Sequence, residues 1–187
     1  VLRGGDITGK QVLVLGAGNI GNLTAQAAKA LGAKAVMITD LSDYKLNKAE
    51  TCGIDYLVNT GEEDLVAAIT TYFGLDKADL ILECVGAQVT IDQAVENARK
   101  GTTIVVVGVF GENPTVNLGF VQDRELNMVG TLMYQKQDFE KAIELIASGN
   151  MRLDDLITHR FTFEQYLDAY HLIEESNGEY MKVMIEL

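Results

Sequence analysis

Residues 12–21 read Val-Leu-Val-Leu-Gly-Ala-Gly-Asn-Ile-Gly, and no other stretch restricts the fold so far. An apolar run passes straight into closely spaced glycines, so a buried strand must turn at once into a helix. Gly16 permits the tight turn. Gly18 has no Cβ to hold a pyrophosphate off the backbone, and Gly21 lets the helix lie close against the strand. With Asn19 and Ile20 these glycines form the turn of a dinucleotide-binding fingerprint. The helix presents free N–H groups and the positive end of its dipole to an anion. Asp40 follows 19 residues after Gly21, closing the next apolar run. A carboxylate there accepts from both hydroxyls of an adenosine ribose and repels a 2′-phosphate, which favours NAD over NADP. Two other readings remain. One is a glycine turn that merely packs. The other is the turn of an S-adenosylmethionine-dependent methyltransferase, typically GxGxG, against which the bulky Ile20 counts.

The rest of the chain extends this unit into a doubly wound α/β fold. Hydrophobic patterning predicts strands over Gln11–Leu15, Lys34–Thr39, Tyr56–Asn59, Asp79–Glu83, Thr103–Val107 and Glu125–Gly130. Helices are predicted over Asn19–Leu31, from Ser42 to Cys52, from Thr60 to Phe73 and over Gln88–Arg99. That order implies a six-stranded parallel sheet of the Rossmann type with right-handed crossovers. Ligands of such sheets bind at the carboxyl ends of the strands, where Cys84-Val85-Gly86-Ala87 and Gly108-Val109-Phe110-Gly111 lie. Pro114–Leu118 reads as a further short strand. The proline marks an edge, open to pairing with another chain. Beyond it, a helix over Asp138–Ala147, an extended run over Leu156–Phe163, a helix over Glu164–Glu175 and a strand over Met181–Leu187 break the rhythm. They are expected to form a helix-strand appendage.

Lys45 falls on the first turn of the second helix. It reaches the same ribose as Asp40 or stands as an exposed surface lysine. Tyr44 and Lys48 have the YxxxK spacing of short-chain dehydrogenases, but they lie directly after the second strand, whereas that family places the pair far downstream. Cys84 is expected to be a small buried residue beside the cofactor and not a nucleophile, since no histidine is near in sequence. Read from the residues alone, Lys182 is a solvated lysine.

The formal charge of −12 over 187 residues disfavours nucleic acid or an anionic membrane as a partner. No apolar run is long enough for a membrane-spanning helix, and no secretory leader is visible. Cys52 and Cys84 belong to no metal-spaced cluster, so reduced thiols in a cytoplasmic protein are expected. His159 and His171 are the only histidines. The chain begins at Val1 without methionine, and the expectation is a piece of a longer protein.

Taken together, Gly16-Ala17-Gly18-Asn19-Ile20-Gly21, Asp40-Leu41-Ser42, Glu83-Cys84-Val85-Gly86, Val107-Gly108-Val109 and Leu156-Ile157-Thr158-His159-Arg160-Phe161 resemble the nucleotide-binding, C-terminal half of the medium-chain, zinc-type alcohol dehydrogenases. The sorbitol, butanediol and threonine dehydrogenase branch is the most similar, and the resemblance covers essentially the whole chain. It implies that Gly16, Gly18, Ile20 and Gly21 hold the pyrophosphate and that Asp40 and Lys45 hold the adenosine ribose. Cys84, Val85 and Gly86 would border the adenosine side. Val107, Gly108 and Val109 would lie under the nicotinamide, with Leu132 and Met133 beside its ribose and Lys182 near the pyrophosphate. It implies a Rossmann domain over residues 1–134 and a segment over 135–187 that completes a separate N-terminal catalytic domain. That domain would hold the zinc, leaving none to this chain. The implied activity of the whole protein is NAD-dependent oxidation of a secondary alcohol or polyol, with the 187 residues alone inactive. A homodimer or homotetramer through the edge near Pro114–Leu118 is implied as well. A free-standing nucleotide-sensing module and an NADPH-dependent quinone reductase are the alternative readings. Asp40 opposes the second of these.

Overall fold

Along β1 (Gln11–Leu15) successive side chains point to opposite faces, and both faces are buried. Leu13 and Leu15 pack into one apolar layer and Val12 and Val14 into the other. This is what a continuous apolar run requires, and it forces helices onto both sides. The computed structural model describes residues 1–187. After β1 come α1 (Asn19–Ala30), β2 (Ala35–Asp40), α2 (Asp43–Thr51), β3 (Tyr56–Asn59), α3 (Leu65–Phe73), β4 (Leu80–Glu83), α4 (Gln88–Asn97), β5 (Thr103–Val106), α5 (Leu118–Asp123) and β6 (Asn127–Gly130). All neighbouring strands are parallel, in the order β3-β2-β1-β4-β5-β6. This is the doubly wound arrangement, with its switch point between β1 and β4. Ala25 and Ala28 of α1 and Leu46 and Ala49 of α2 cover one face. Leu65, Ala68 and Ile69 of α3 and Ala94 and Val95 of α4 cover the other.

Caps set several boundaries. Ser42 Oγ accepts from the Lys45 N–H at 3.4 Å, and Asp64 Oδ1 from the Ala67 N–H at 2.7 Å. The third helix therefore starts after Asp64 and not at Thr60. Residues 60–63 form a turn closed by the Glu62 and Glu63 N–H groups on the Asn59 carbonyl. β6 begins at Asn127, two residues later than its apolar pattern implies, because Glu125 takes a left-handed φ of +51°.

Pro114–Leu118 is not a strand, against the expectation from sequence. Its backbone partner is a side chain. The Gln88 carboxamide donates to the Thr115 carbonyl and accepts from the Thr115 N–H, both at 2.8 Å, and so stands in for a neighbouring strand. Asn117 then caps α5, accepting from the Phe120 N–H at 3.2 Å.

The C-terminal part adds α6 (Lys136–Ala147), β7 (Ile157–Thr162), α7 (Tyr166–Glu175) and β8 (Lys182–Glu186). β7 and β8 pair in parallel as a separate two-stranded sheet. It rests on α1 and α2 through a small apolar cluster of Cys52, Leu156 and Met181, flanked by Leu23 and Tyr44. Phe139, Ile143, Phe163, Leu167 and Tyr170 of this part remain exposed. No helix is long and apolar enough to cross a membrane.

Candidate functional site

The chain leaves β1 through Gly16, whose φ of +97° glycine alone adopts without strain. Gly21 lies so close to this turn that a Cβ would fall 1.8 Å from the Gly16 carbonyl oxygen. Gly18 differs from both. Its φ is −62°, and nothing lies within 4 Å of where its Cβ would be. Its missing side chain is needed by no neighbour in the chain, so what it keeps open is the space above the turn. No side chain caps α1. Its first backbone bond runs from the Asn22 N–H to the Gly18 carbonyl at 2.9 Å, leaving the N–H groups of Asn19, Ile20 and Gly21 without a partner in the chain. Free N–H groups, a helix dipole and a cradle kept open by Gly18 fit a pyrophosphate.

Asp40 ends β2 beside this turn. Its Oδ2 accepts from the Ala17 N–H at 2.8 Å, and its Oδ1 from the Leu41 and Ser42 N–H groups at 2.9 and 3.0 Å. The carboxylate thus fixes the glycine turn before any ligand arrives, and one further acceptor position remains on Oδ2. Lys45 is half-buried on the first turn of α2.

The loops after β4 and β5 interlock backbone against backbone. A Cβ on Gly86 would lie 2.4 Å from the Val109 carbonyl oxygen, and one on Gly108 would lie 2.2 Å from the Gly86 nitrogen. Glu83 is the knot. It is fully buried, and its Oε1 accepts from the Val85 N–H at 2.9 Å, the Gly86 N–H at 2.8 Å and the Thr90 hydroxyl at 2.8 Å. Its carbonyl accepts from Val107 and Gly108 at 2.8 and 2.9 Å. Oε2 has no partner. Sequence reasoning gave Glu83 no role of its own. The available signal was a carboxylate closing the apolar run Leu80-Ile81-Leu82.

Cys84 lies under the glycine turn, its N–H donating to the Leu15 carbonyl at 2.9 Å. Burial pushes its thiol up to about 12, which leaves it protonated and unreactive. Val85 touches the turn from the other side, 2.6 Å from where a Gly16 Cβ would be. The Tyr44–Lys48 pair packs ammonium over ring at 5.8 Å, and burial raises the phenol.

The structure therefore brings Gly16, Gly18, Asn19, Ile20, Gly21, Asp40 and Cys84–Gly86 to one place, with Val107–Val109 joined through the interlocked loops. Lys182 is exposed and sits next to Met181, whose carbonyl accepts from Asn19 Nδ2 at 2.8 Å. Leu132 and Met133 stand apart. They follow β6, tied to the sheet by the Thr131 N–H on the Val106 carbonyl at 3.1 Å, and Met133 takes a left-handed φ of +61°. Both line a cleft of about 750 Å³ between the first turn of the chain and α6. No group of three or more His, Cys, Asp or Glu side chains is arranged to hold a metal ion, so these residues do not fit a zinc site.

Fold and site together define a Rossmann-type domain with an open glycine turn at its switch point. The family model described as zinc-binding dehydrogenase matches residues 19–148, and the chain belongs to that family. It is 34% identical to sorbitol dehydrogenase 1 of Saccharomyces cerevisiae over 183 residues, which is 95% of this chain and 51% of that protein. Among solved structures, an alcohol dehydrogenase of Escherichia coli CFT073 complexed with NADH superposes with a TM-score of 0.86 at 28% identity, covering 96% of this chain and 53% of the other. A zinc-binding dehydrogenase of Sinorhizobium meliloti 1021 bound to NADP gives 0.85 at 29% identity, covering 99% and 56%. The chain spans about half the length of the curated relatives it matches.

Proposed function

We propose that this chain is the nucleotide-binding part of an NAD-dependent dehydrogenase that oxidises a secondary alcohol or polyol to a ketone. The observation that carries the reading is the open turn at Gly18, with the unpartnered N–H groups of Asn19, Ile20 and Gly21 facing the space above it. The pyrophosphate lies there. Asp40 accepts from the adenosine ribose with its remaining Oδ2 position, and Lys45 flanks it. Exposed Leu41 and Val85 border the adenosine. The backbone of Val107, Gly108 and Val109 bonds the nicotinamide carboxamide, and Leu132 and Met133 lie toward its ribose.

NAD supplies the hydride acceptor, and the chain supplies position and exclusion of water. The Glu83 knot holds the Val109 loop against the Gly86 loop, so the surface under the nicotinamide is rigid. No residue of this chain is assigned a proton-transfer role. On this reading residues 1–134 form the cofactor domain. Residues 135–187, with their exposed aromatic face, complete a catalytic domain outside this chain. The match to about half of sorbitol dehydrogenase 1 supports a further domain in the whole protein.

Asp40 carries the choice of NAD over NADP. Replacing Asp40 by Ala removes the repelling charge and also the anchor of Ala17. NAD binding should weaken about tenfold, the scale of a hydrogen bond to a charged group. Discrimination against NADP should narrow. Equal binding of NADP by the unaltered chain would overturn the assignment.

A further inference from the structure

One face of α1 carries three amide side chains at helical spacing, Asn19, Asn22 and Gln26, and none of them meets bulk water in the way an exposed helix face does. Asn22 and Gln26 are buried. Gln26 Nε2 donates to Asn22 Oδ1 at 2.8 Å, and Gln26 Oε1 accepts from the Arg152 N–H at 2.6 Å. Arg152 reaches on to the Thr51 carbonyl. At the other end of the seam, Asn19 Nδ2 holds the Met181 carbonyl. Met181 is buried against Cys52 and Leu156, and its N–H donates to Thr158 Oγ1 at 3.1 Å. Lys182 pairs with Ile157 at the start of β8. The seam thus joins the turn that faces the open space above Gly18 to the segment bearing Lys182, 163 residues further along the chain (182 − 19).

We propose that Asn19 is a positioning residue: its carboxamide, mounted on the glycine turn, holds the Met181 carbonyl and so fixes the Lys182 ammonium beside the bound pyrophosphate. Nucleotide binding and docking of the β7–β8 sheet are then coupled. The coupling rests on the nucleotide reading above. A helix residue at the mouth of an anion site ordinarily contributes its N–H. Asn19 contributes that and also spends its side chain on a distant carbonyl, which no local need of the helix explains. Because Met181 and Lys182 are adjacent, losing the Asn19 bond frees the lysine without removing it. By linkage, a ligand that draws Lys182 to the turn must tighten the docked sheet to the same degree.

The test is a double-mutant cycle on the 187-residue chain, with NAD titrated calorimetrically, and hydrogen exchange followed on residues 157–162 and 181–186. Asn19→Ala should weaken NAD binding roughly threefold to tenfold, the range of one neutral hydrogen bond. Lys182→Ala should weaken it by a similar factor, and the double variant should be no weaker than Lys182→Ala alone. Additive losses would overturn the proposal, because Asn19 would then act independently of Lys182. Exchange supplies a readout free of nucleotide. Asn19→Ala, and the isosteric Asn19→Asp whose carboxylate suits a helix N-terminus but cannot donate, should both speed exchange in 181–186 with unchanged protection of β1 and β4. Unchanged exchange in 181–186 in both variants would overturn the anchor itself. An unaltered chain that binds no NAD would overturn the nucleotide reading and the coupling with it, while the exchange result still decides the anchor.

Discussion

Gly18 and Gly21 sit three residues apart on one turn, and the structure assigns them opposite reasons for being glycine. At Gly21 an alanine Cβ would lie 1.8 Å from the Gly16 carbonyl oxygen and 3.6 Å from Cys84 Cβ. Relief needs α1 to move from β1 by more than an ångström. Overpacking of this kind costs about 1–3 kcal/mol and more when backbone is the obstacle. Alanine's helix preference returns about 1 kcal/mol. Gly21→Ala should therefore lose about 2 kcal/mol, which lowers the urea midpoint by about 1 M at an m-value near 2 kcal/mol/M. At Gly18 the backbone already has φ −62°, and the Cβ would point into open space. Gly18→Ala should leave stability within about 0.5 kcal/mol, or raise it slightly through the unfolded chain. The same methyl occupies the space of a pyrophosphate, so NAD affinity should fall about 30-fold, equivalent to about 2 kcal/mol. Urea unfolding and calorimetric titration of the two variants read both effects. If Gly18→Ala binds NAD as tightly as the unaltered chain, the nucleotide does not cross this turn. If Gly21→Ala unfolds at the same urea concentration, the close approach is wrong.

Glu83→Ala strips the acceptor from the Val85 N–H, the Gly86 N–H and the Thr90 hydroxyl. It should cost about 3 kcal/mol in urea unfolding. A loss under 1 kcal/mol would remove Glu83 from its place as the knot of the two loops. The Cys84 thiol, raised to about 12 by burial, sits above its unfolded value of about 8.5. Its contribution to stability is whole below that unfolded value and declines as pH rises from there through about 12. Urea midpoints should accordingly fall above pH 9, and less so in Cys84→Ala. At pH 9 iodoacetamide should label Cys84 far more slowly in the folded protein than in the urea-unfolded chain, where the thiol has its ordinary pKa of about 8.5. A homodimer or homotetramer is proposed through the surface near Pro114–Leu118, by contacts other than strand pairing at Thr115, whose N–H and carbonyl Gln88 already holds. Sedimentation at rising concentration should then show dimers or tetramers, and a monomer throughout would count against that surface.

Much of this molecule was legible because the signals were local. β1 and β3 lie where the apolar runs place them, and α1, α2 and α4 follow the pattern to within about two residues at their ends, while α3 starts later and the pattern contains no helix at α5. The glycine turn with Asp40 lies at the strand end where the sheet order reverses. What escaped were bonds between residues far apart in the chain. Nothing in the sequence marks Gln88 as the partner of Thr115, so a proline followed by alternating polar and apolar residues read as a strand. Asn19, Asn22 and Gln26 look like ordinary polar residues of an alanine-rich helix. Their roles follow from Arg152 and Met181 arriving on that face, 126 and 162 residues away from Gln26 and Asn19. Leu132 and Met133 were placed by resemblance. The left-handed turn at Met133 has no glycine or asparagine to signal it.

The central claim is that the open turn at Gly18 binds NAD and that Asp40 excludes the 2′-phosphate. Calorimetric titration of the chain with NAD and then NADP tests it most directly. The account predicts one NAD per chain and NADP binding at least tenfold weaker. Equal affinity for NADP, or no heat with either nucleotide, would contradict it.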